Sequence, residues 1–169
     1  MADAPERIVL VGFMGAGKTT VGALLAGRLG WAFRDMDQWI EERTGLSVAR
    51  LFEQRGEAAF RQEERQVAAQ ASLLERHVIA AGGGAFAQPE TRALLQQGAL
   101  TVWLRAELPI LLARLPKDGA RPLAASRETI SRLFAEREPS YRLADRVVDA
   151  SPAAEEVARV IAEAALRRT

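Results

Sequence analysis

One stretch near the N-terminus, Gly12–Thr19, constrains this chain more than any other. Its sequence, GFMGAGKT, has the spacing G-x-x-x-x-G-K-T of a phosphate-binding P-loop. Glycines at these positions let the backbone turn tightly, so that successive N–H groups point into one concavity that suits a phosphate. Within the motif, Lys18 carries a charge that can reach the β- and γ-phosphates of a nucleotide, and Thr19 offers a hydroxyl to Mg²⁺.

The sequence on either side of this motif fits the same interpretation. Ile8–Val11 is a short run of apolar and β-branched residues, typical of a buried strand. After Lys18, apolar residues recur at helical spacing as far as Leu29, and Gly30 is a typical helix stop. Strand, glycine-rich loop and helix therefore follow one another in the order that a P-loop requires.

Composition argues against several other classes of protein. A chain of 169 residues is most simply one domain, and its net charge of +1 does not indicate binding to nucleic acid or to a membrane surface. The absence of cysteine excludes disulfides, thiol catalysis and thiolate metal sites. The N-terminus lacks a signal-peptide pattern, and no apolar run approaches the length of a membrane span. We therefore expect a cytoplasmic protein without a nucleic-acid or membrane partner.

The remaining sequence alternates between short apolar runs and helical patterns. The predicted strands cover residues 8–11, 31–34, 77–81, 100–104 and 146–149. Such alternation predicts a parallel sheet that is covered by helices on both faces. Ligands of these sheets bind at the carboxyl ends of the strands. The P-loop, the pair Asp35 and Asp37, and the triplet Gly82–Gly84 are therefore expected to line one crevice.

Glycine and proline mark the ends of several predicted helices. Gly56 separates a short helix that ends at Arg55 from a longer one that runs from Glu57 to Arg76. A later helix, Glu128 to Glu138, is predicted to end before Pro139, because a proline disfavours helical geometry in the residue that precedes it.

Two aspartates after the second predicted strand are candidates for phosphoryl-transfer chemistry. Asp35 and Asp37 are separated by one residue, so on a strand both side chains would project to the same face. One can hold Mg²⁺ and the other can accept a hydrogen bond from the acceptor hydroxyl, or both can simply cap a turn or a helix. No apolar strand ends in the isolated aspartate of a usual Walker B motif, which argues against motor-type ATPases and leaves Thr19 and Asp35 as the metal pair.

Three arginines and a glycine triplet suggest the chemistry of the acceptor. The planar fork of arginine matches a carboxylate with two hydrogen bonds, so Arg61, Arg121 and Arg137 favour an acceptor with a carboxylate. The alternative for each is a solvated surface charge. The triplet Gly82–Gly84 is either an ordinary loop or a place where a ligand approaches the backbone closely.

The motifs together resemble the shikimate kinases over nearly the whole chain, from about Ile8 to Asp149. The resemblance rests on G-x-x-x-x-G-K-T at 12–19, D-x-D-x-x-I-E at 35–41, G-x-S at 45–47, F-x-x-x-G-E-x-x-F-R-x-x-E at 52–64, G-G-G-A at 82–85, R-P-L at 121–123 and R-x-x-x-Y at 137–141. Each motif alone is weak, but all of them in this order form a specific signature.

The resemblance implies a fold, a reaction and a cofactor. The fold would be the α/β, three-layer P-loop kinase fold, with a five-stranded parallel sheet in the order 2-3-1-4-5 and helices on both faces. Residues 1–169 would form a single domain, with a shikimate-binding helical segment at about 37–64 and a mobile lid at about 115–126. With ATP and Mg²⁺, a monomeric enzyme would phosphorylate the 3-hydroxyl of shikimate, a step in aromatic amino acid biosynthesis.

The resemblance also implies roles for individual residues. The catalytic residues would be Lys18, Asp37 and Arg121. The ATP-binding residues would be Gly15, Ala16, Gly17, Lys18, Thr19, Thr20, Arg114 and Arg121. The shikimate-binding residues would be Asp37, Phe52, Phe60, Arg61, Gly82, Gly83, Gly84 and Arg137. Thr19 and Asp35 would bind the metal.

Two alternatives remain open at the level of sequence. A kinase of another small hydroxy acid, such as gluconate, would need the same combination of carboxylate and hydroxyl recognition. A non-catalytic nucleotide-binding homologue would be expected to lack Lys18, Asp35 or one of the arginines, and all of these are present.

Overall fold

The computed structural model describes residues 4–115 and 126–167. The strands in these ranges are β1 (Arg7–Val11), β2 (Ala32–Asp35), β3 (His77–Ala80), β4 (Ala99–Arg105) and β5 (Arg146–Asp149). The α-helices there are α1 (Lys18–Leu29), α2 (Met36–Thr44), α3 (Val48–Ala71), α4 (Pro89–Gln96), α5 (Leu108–Arg114), α6 (Arg127–Tyr141) and α7 (Ala154–Leu166). The predicted lid and Arg121 lie outside the described residues, apart from positions 115 and 126 at the two ends of the lid.

The five strands form one parallel sheet in the order β2-β3-β1-β4-β5. This order confirms the prediction that came from the family resemblance. The registers align the carboxyl ends of the strands, with Val11 opposite Trp103 and Asp35 opposite Ala80. Loops that leave these ends therefore meet along one edge of the sheet, as the alternating pattern predicted.

The core lies on both faces of the central strand. All five residues of β1 are buried, and since successive side chains of a strand point to opposite faces, both faces must be covered. The helices that cover the sheet pack in pairs, with α1 against α7 and α3 against α4. No helix in the described ranges has both the length and the apolar character needed to cross a bilayer.

The long helix α3 breaks where the sequence predicted but ends earlier. Gly56 interrupts the helical geometry, as expected, with φ 82° and ψ 173°, a combination that side chains other than glycine rarely adopt. The second half was predicted to reach Arg76, but it ends at Ala71. Turn-type hydrogen bonds from Leu73 to Gln70 and from Leu74 to Ala71 replace the helical pattern there.

Helix α6 is longer than predicted, because Pro139 lies inside it. The prediction that this helix stops before Pro139 was wrong. A proline near the end of a helix removes only one backbone hydrogen bond, and that loss can be offset by the packing of the following turn. Tyr141, in that turn, is completely buried. The extra turn places Arg137 and Tyr141 four residues apart on one helix, where side chains are neighbours.

Candidate active site

The P-loop connects β1 to α1 at the carboxyl end of the sheet. Gly15 and Gly17 have φ values of 80° and 92°, so the tight turn uses a backbone region that favours glycine. Gly17 is the N-cap of α1, and no side chain caps the helix. The first N–H groups of α1 are therefore available to an anion such as a phosphate.

Helix α5 lies against this loop and limits its shape. A Cβ at Gly15 would stand 2.8 Å from the carbonyl oxygen of Leu111, which is why only glycine fits there. At the end of α5, Arg114 donates hydrogen bonds to the carbonyl oxygens of Ala150, at 2.9 Å, and Ser151, at 3.1 Å. Arg114, predicted to bind ATP, thus lies between the P-loop and the loop that follows β5.

Polar side chains of the motif contact the loop and the end of β2. The Nζ of Lys18 donates to the carbonyl oxygens of Gly12, at 2.6 Å, and Phe13, at 3.1 Å. The hydroxyl of Thr19 donates to Oδ2 of Asp35 at 2.6 Å. The two residues predicted to bind metal are thus in direct contact.

The predicted geometry of the two aspartates was wrong, although they lie at the expected edge of the sheet. Asp35 ends β2, and its side chain caps α2 by accepting a hydrogen bond from the backbone of Gln38. Asp37 belongs to the first turn of α2, so the two side chains do not share a strand face. The first turn of α2 instead directs Asp37 towards Gly82. A Cβ built at Gly82 would stand 2.8 Å from Oδ1 of Asp37.

All eight residues predicted to bind shikimate line one pocket. These are Asp37, Phe52, Phe60, Arg61, Gly82, Gly83, Gly84 and Arg137, and the same pocket is also lined by Met14, Val48 and Glu64. They come from α2, from both halves of α3, from the loop after β3 and from α6. Since Met14 belongs to the P-loop, the pocket adjoins the phosphate-binding loop.

An ion pair with one buried partner lines this pocket. Nη1 of Arg61 is 2.8 Å from Oε1 of Glu64, and the side chain of Glu64 is only 1% exposed. Burial raises the pKa of the Glu64 carboxyl above its ordinary value, while Arg61 acts in the opposite direction. The contact with the Glu64 carboxylate thus holds the Arg61 guanidinium in one position.

The glycine triplet makes room for the charged side chains of the pocket. A Cβ at Gly84 would stand 2.6 Å from Nη2 of Arg61 and 2.9 Å from Nη2 of Arg137. A Cβ at Gly82 would meet Asp37 and, at 3.1 Å, Oε2 of Glu64. Side chains here would displace the groups that line the pocket, so the triplet is more than an ordinary loop.

Aromatic rings form the wall of the pocket and support the arginines. The rings of Phe52 and Phe60 are 4.6 Å apart, and the guanidinium of Arg61 lies 5.3 Å from the centre of Phe60. The guanidinium of Arg137 lies 5.9 Å from the centre of the Phe13 ring. Phe13 is a variable position of the P-loop motif, so the loop itself contributes to the support of the second arginine.

Sequence reasoning missed four residues in or beside this pocket, namely Met14, Val48, Glu64 and Tyr141. Glu64 follows Arg61 by three residues on a helix, a spacing that signals a neighbouring pair but not a buried one. Met14 stands at an unspecified position of the P-loop pattern, so no signal identified it. Tyr141 forms part of the R-x-x-x-Y motif, but the predicted helix end at Pro139 removed it from the helix that carries Arg137.

Comparison with known sequences gives a family. The family model for shikimate kinase matches residues 14–166 of the chain. The shikimate kinase of Moorella thermoacetica is 45% identical over 163 residues, which cover 95% of this chain and 94% of that protein. The chain belongs to the shikimate kinase family. Membership of the shikimate kinase family makes it a kinase, a transferase of phosphoryl groups.

Solved structures agree with the family and separate it from the main alternative. A structure titled as shikimate kinase from Acinetobacter baumannii in complex with shikimate has a TM-score of 0.93 at 35% identity, covering 98% of this chain and 95% of that one. A gluconokinase from Sinorhizobium meliloti has a TM-score of 0.64 at 17% identity, covering 99% of this chain and 94% of that one. The gluconokinase shares the fold alone, so the gluconate alternative is not favoured over the shikimate kinase family.

Proposed function

We propose that this chain transfers the γ-phosphoryl group of ATP to the 3-hydroxyl of shikimate, giving 3-phosphoshikimate and ADP. One observation carries the proposal: a pocket beside the P-loop brings together two arginines, an aspartate and three glycines that are distant in sequence. Shikimate carries a carboxylate and three hydroxyls on one ring, and this set of side chains offers a partner to each kind of group.

Arg61 and Arg137 bind the carboxylate in this proposal. Both guanidinium groups lie close to Gly84, so a planar carboxylate above this glycine can contact both forks. Nε of Arg61 is buried and has no hydrogen-bond partner within residues 4–115 and 126–167. A buried donor of this kind is costly unless it meets an acceptor, and a substrate carboxylate supplies one.

Asp37 orients the attacking hydroxyl. Its carboxylate lines the pocket at the end of β2, on the side of the sheet edge where Thr19 and Asp35 also lie. By accepting a hydrogen bond from the 3-hydroxyl, it points a lone pair of that oxygen at the γ-phosphorus. The bond from the hydroxyl oxygen to phosphorus then forms as the bond to the β-phosphate oxygen breaks, the hydroxyl proton passes to the Asp37 carboxylate and from there to solvent, and ADP leaves.

The P-loop holds the nucleotide. The uncapped N–H groups at the start of α1 bind the β-phosphate, and Lys18 exchanges its contacts with loop carbonyls for contacts with phosphoryl oxygens. Gly15, Ala16, Gly17, Thr19, Thr20 and Arg114 complete the proposed ATP site. Arg121, in the proposed lid at 115–126, keeps its role over the phosphates on the strength of the family resemblance.

Thr19 and Asp35 fit a magnesium ion by the chemistry of their donor atoms. They place a hydroxyl and a carboxylate oxygen 2.6 Å apart beside the P-loop. Mg²⁺ in kinases takes one or two protein oxygens together with phosphate oxygens and water, so this small set suffices. No larger cluster of three or more metal-binding side chains occurs among the described residues. When bound, the metal neutralises charge on the phosphoryl oxygens.

The proposal treats residues 1–169 as one kinase domain whose segment 37–64 binds shikimate. Six of the pocket residues belong to this segment: Asp37, Val48, Phe52, Phe60, Arg61 and Glu64. A cytoplasmic location and a monomeric state stay predictions.

A comparison of acceptors tests this function. Purified protein with Mg²⁺ and ATP should release ADP when shikimate is added. It should release no ADP when gluconate is added or when no acceptor is present. Asp37→Asn should lower turnover with shikimate by about 10²–10⁴-fold while nucleotide binding stays near normal, because only the hydroxyl partner is changed. Release of ADP with gluconate alone would move the substrate assignment, and an active Asp37→Asn enzyme would remove Asp37 from the reaction.

A further inference from the structure

Tyr141 is a buried polar residue that the proposed reaction does not use. It is fully enclosed at the end of α6, and its hydroxyl donates a hydrogen bond of 2.5 Å to the carbonyl oxygen of Gly83. Arg137 precedes Tyr141 by one helical turn on α6, and its Nη1 lies 3.1 Å from the position that a Cβ would take at Gly83. Tyr141 thus contacts the glycine triplet at the place where the second arginine of the pocket approaches it.

The position of the ring is fixed from the opposite side. The Tyr141 ring packs on that of Trp103, with 5.8 Å between the ring centres and an angle of 36° between the planes. Trp103 is a buried residue of β4, which lies between β1 and β5 in the sheet. Packing on Trp103, burial and the hydrogen bond to Gly83 together keep the hydroxyl in place.

The charge environment agrees with this geometry. Burial raises the pKa of the Tyr141 hydroxyl to about 12, while the neighbouring Arg137 acts to lower it. The hydroxyl consequently stays protonated at neutral pH and can donate its hydrogen bond to the carbonyl oxygen of Gly83. Because the residue is enclosed, it has no direct access to a substrate.

We propose that Tyr141 is a positioning residue for shikimate, which orients Arg137 and the backbone of Gly83 for substrate binding. The inference rests on the proposed function and adds to it a residue that acts through others. Glycine has a wide choice of backbone conformations, so three in succession need an external anchor to keep one orientation. Fixing the Gly83 carbonyl fixes the plane of the peptide bond that joins Gly83 to Gly84, since that unit is planar.

Kinetics of a conservative variant test the inference. Tyr141→Phe retains the ring on Trp103 and removes only the hydroxyl, so Gly83 loses its hydrogen bond and Arg137 loses the polar group beside it. We expect the KM for shikimate to rise about five- to tenfold, with kcat and the KM for ATP within about twofold of wild type. Such a split would not follow from a general loss of stability.

Thr101→Val is the matched control. Thr101 is also completely buried, and its hydroxyl makes two hydrogen bonds, donating to Asp145 Oδ2 and accepting from the backbone N–H of Asp145. It lies in the first half of β4, away from the carboxyl edge of the sheet. This variant should lower the midpoint of thermal unfolding without changing the KM for shikimate. An equal rise of KM in both variants, or no rise in Tyr141→Phe, would overturn the inference.

A measurement on the wild-type protein decides the matter even if Tyr141→Phe does not fold. The chain has one tyrosine, so protein labelled with ¹³C at the tyrosine Cζ gives a single NMR signal for this residue. Shikimate should shift that signal, because its carboxylate changes the charge that Arg137 presents to the hydroxyl. An unchanged signal in an enzyme that turns over shikimate would refute the positioning role alone. A wild-type enzyme without turnover of shikimate would refute the proposed function, and the inference with it.

Discussion

The phosphate-binding loop and the pocket beside it adjoin each other but are built in different ways. The loop is one continuous stretch, Gly12–Thr19, whose function depends on local backbone geometry and a single lysine. The pocket takes its charged side chains from three helices, with Asp37 on α2, Arg61 on α3 and Arg137 on α6. A site of the first kind is a property of a short sequence, whereas a site of the second kind exists only in the folded chain.

The difference has energetic consequences. Loop residues meet mainly backbone groups, as the contacts of Lys18 with the carbonyls of Gly12 and Phe13 illustrate. Pocket residues meet one another, since Glu64 supports Arg61 and both arginines crowd around Gly84. Substitution of the loop lysine, Lys18, should therefore affect phosphoryl transfer alone, whereas substitutions of the charged pocket residues should affect shikimate binding and the stability of the fold together.

The largest effect is expected for Lys18→Ala. Turnover should fall by roughly 10³-fold or more, because the lysine stabilises charge on the transferred phosphoryl group as other cationic groups do in phosphoryl transfer. Release of ADP at saturating shikimate measures this loss, and direct binding of shikimate to the variant should remain near the wild-type value. Loss of shikimate binding would show that the loop and the pocket are not separable in this way.

A smaller effect is expected for Arg61→Lys. Lysine retains the positive charge that Glu64 needs but lacks the planar fork that matches a carboxylate, so the KM for shikimate should rise about tenfold or more. Arg43→Lys is the control, since Arg43 also forms an ion pair with a glutamate of α3, at 3.2 Å, but in a more exposed position. Its KM should stay within about twofold of wild type, because exposed ion pairs contribute little. Equal values for the two variants would contradict the carboxylate-binding role.

Gly84→Ala sharpens the comparison by adding one methyl group to the pocket. The φ of Gly84 is −102°, which alanine adopts without strain, so the added Cβ acts only by displacing the two guanidinium groups. The KM for shikimate should rise about fivefold, while ATP binding is retained. Gly27→Ala is the matched control, because a Cβ at this position meets nothing within 4 Å. This control should leave the KM for shikimate unchanged and should stabilise α1 by about 1 kcal/mol. A normal KM in Gly84→Ala would mean that the triplet does not position the arginines.

The smallest effect concerns stability and pH, and it tests the buried charge of the pocket. The pKa of Glu64 is raised by burial and further by Asp37, while Arg61 and Arg137 lower it, so the folded state binds a proton there more readily than the unfolded state does. Wild type therefore loses stability as the pH rises through the pKa of folded Glu64.

Glu64→Gln resembles the protonated form and escapes this loss. The midpoint of thermal unfolding of the variant, minus that of wild type, should be larger at about pH 7.5 than at about pH 4. In a chain of this size, each kcal/mol of stability corresponds to about 2–4 °C in that midpoint. Calorimetry at the two pH values measures the difference, and its KM for shikimate should rise as Arg61 loses its support. Glu63→Gln, one residue earlier on α3, should leave that KM unchanged. If the midpoint of Glu64→Gln minus that of wild type falls as the pH rises, the upward shift of the Glu64 pKa is contradicted.

Much of the fold was predictable because its signals are local. The strand β1, the P-loop and the helix that starts at Lys18 follow from neighbouring residues, and so does the break at Gly56. Local rules failed where packing was stronger than propensity. Pro139 does not end α6, because the turn after it buries Tyr141 against the sheet.

The candidate site was predictable only in part. Asp35 and Asp37 lie near the P-loop as expected, but a helix rather than a strand directs Asp37 into the pocket. Glu64 and Tyr141 stood inside recognised motifs without a role, because their burial depends on elements that are far away in sequence.

Neighbouring residues in the chain specify the phosphate-binding loop and the alternation of strands and helices, and the sequence supplies the arginines and the aspartate of the proposed substrate site. Tertiary packing determines which of those residues share a pocket and how they are held. The reason is physical: backbone turns and helix starts depend on interactions between neighbours in the chain, whereas the ion pair of Arg61 with Glu64 and the hydrogen bond from Tyr141 to Gly83 form only once α3, α6 and the sheet have packed together.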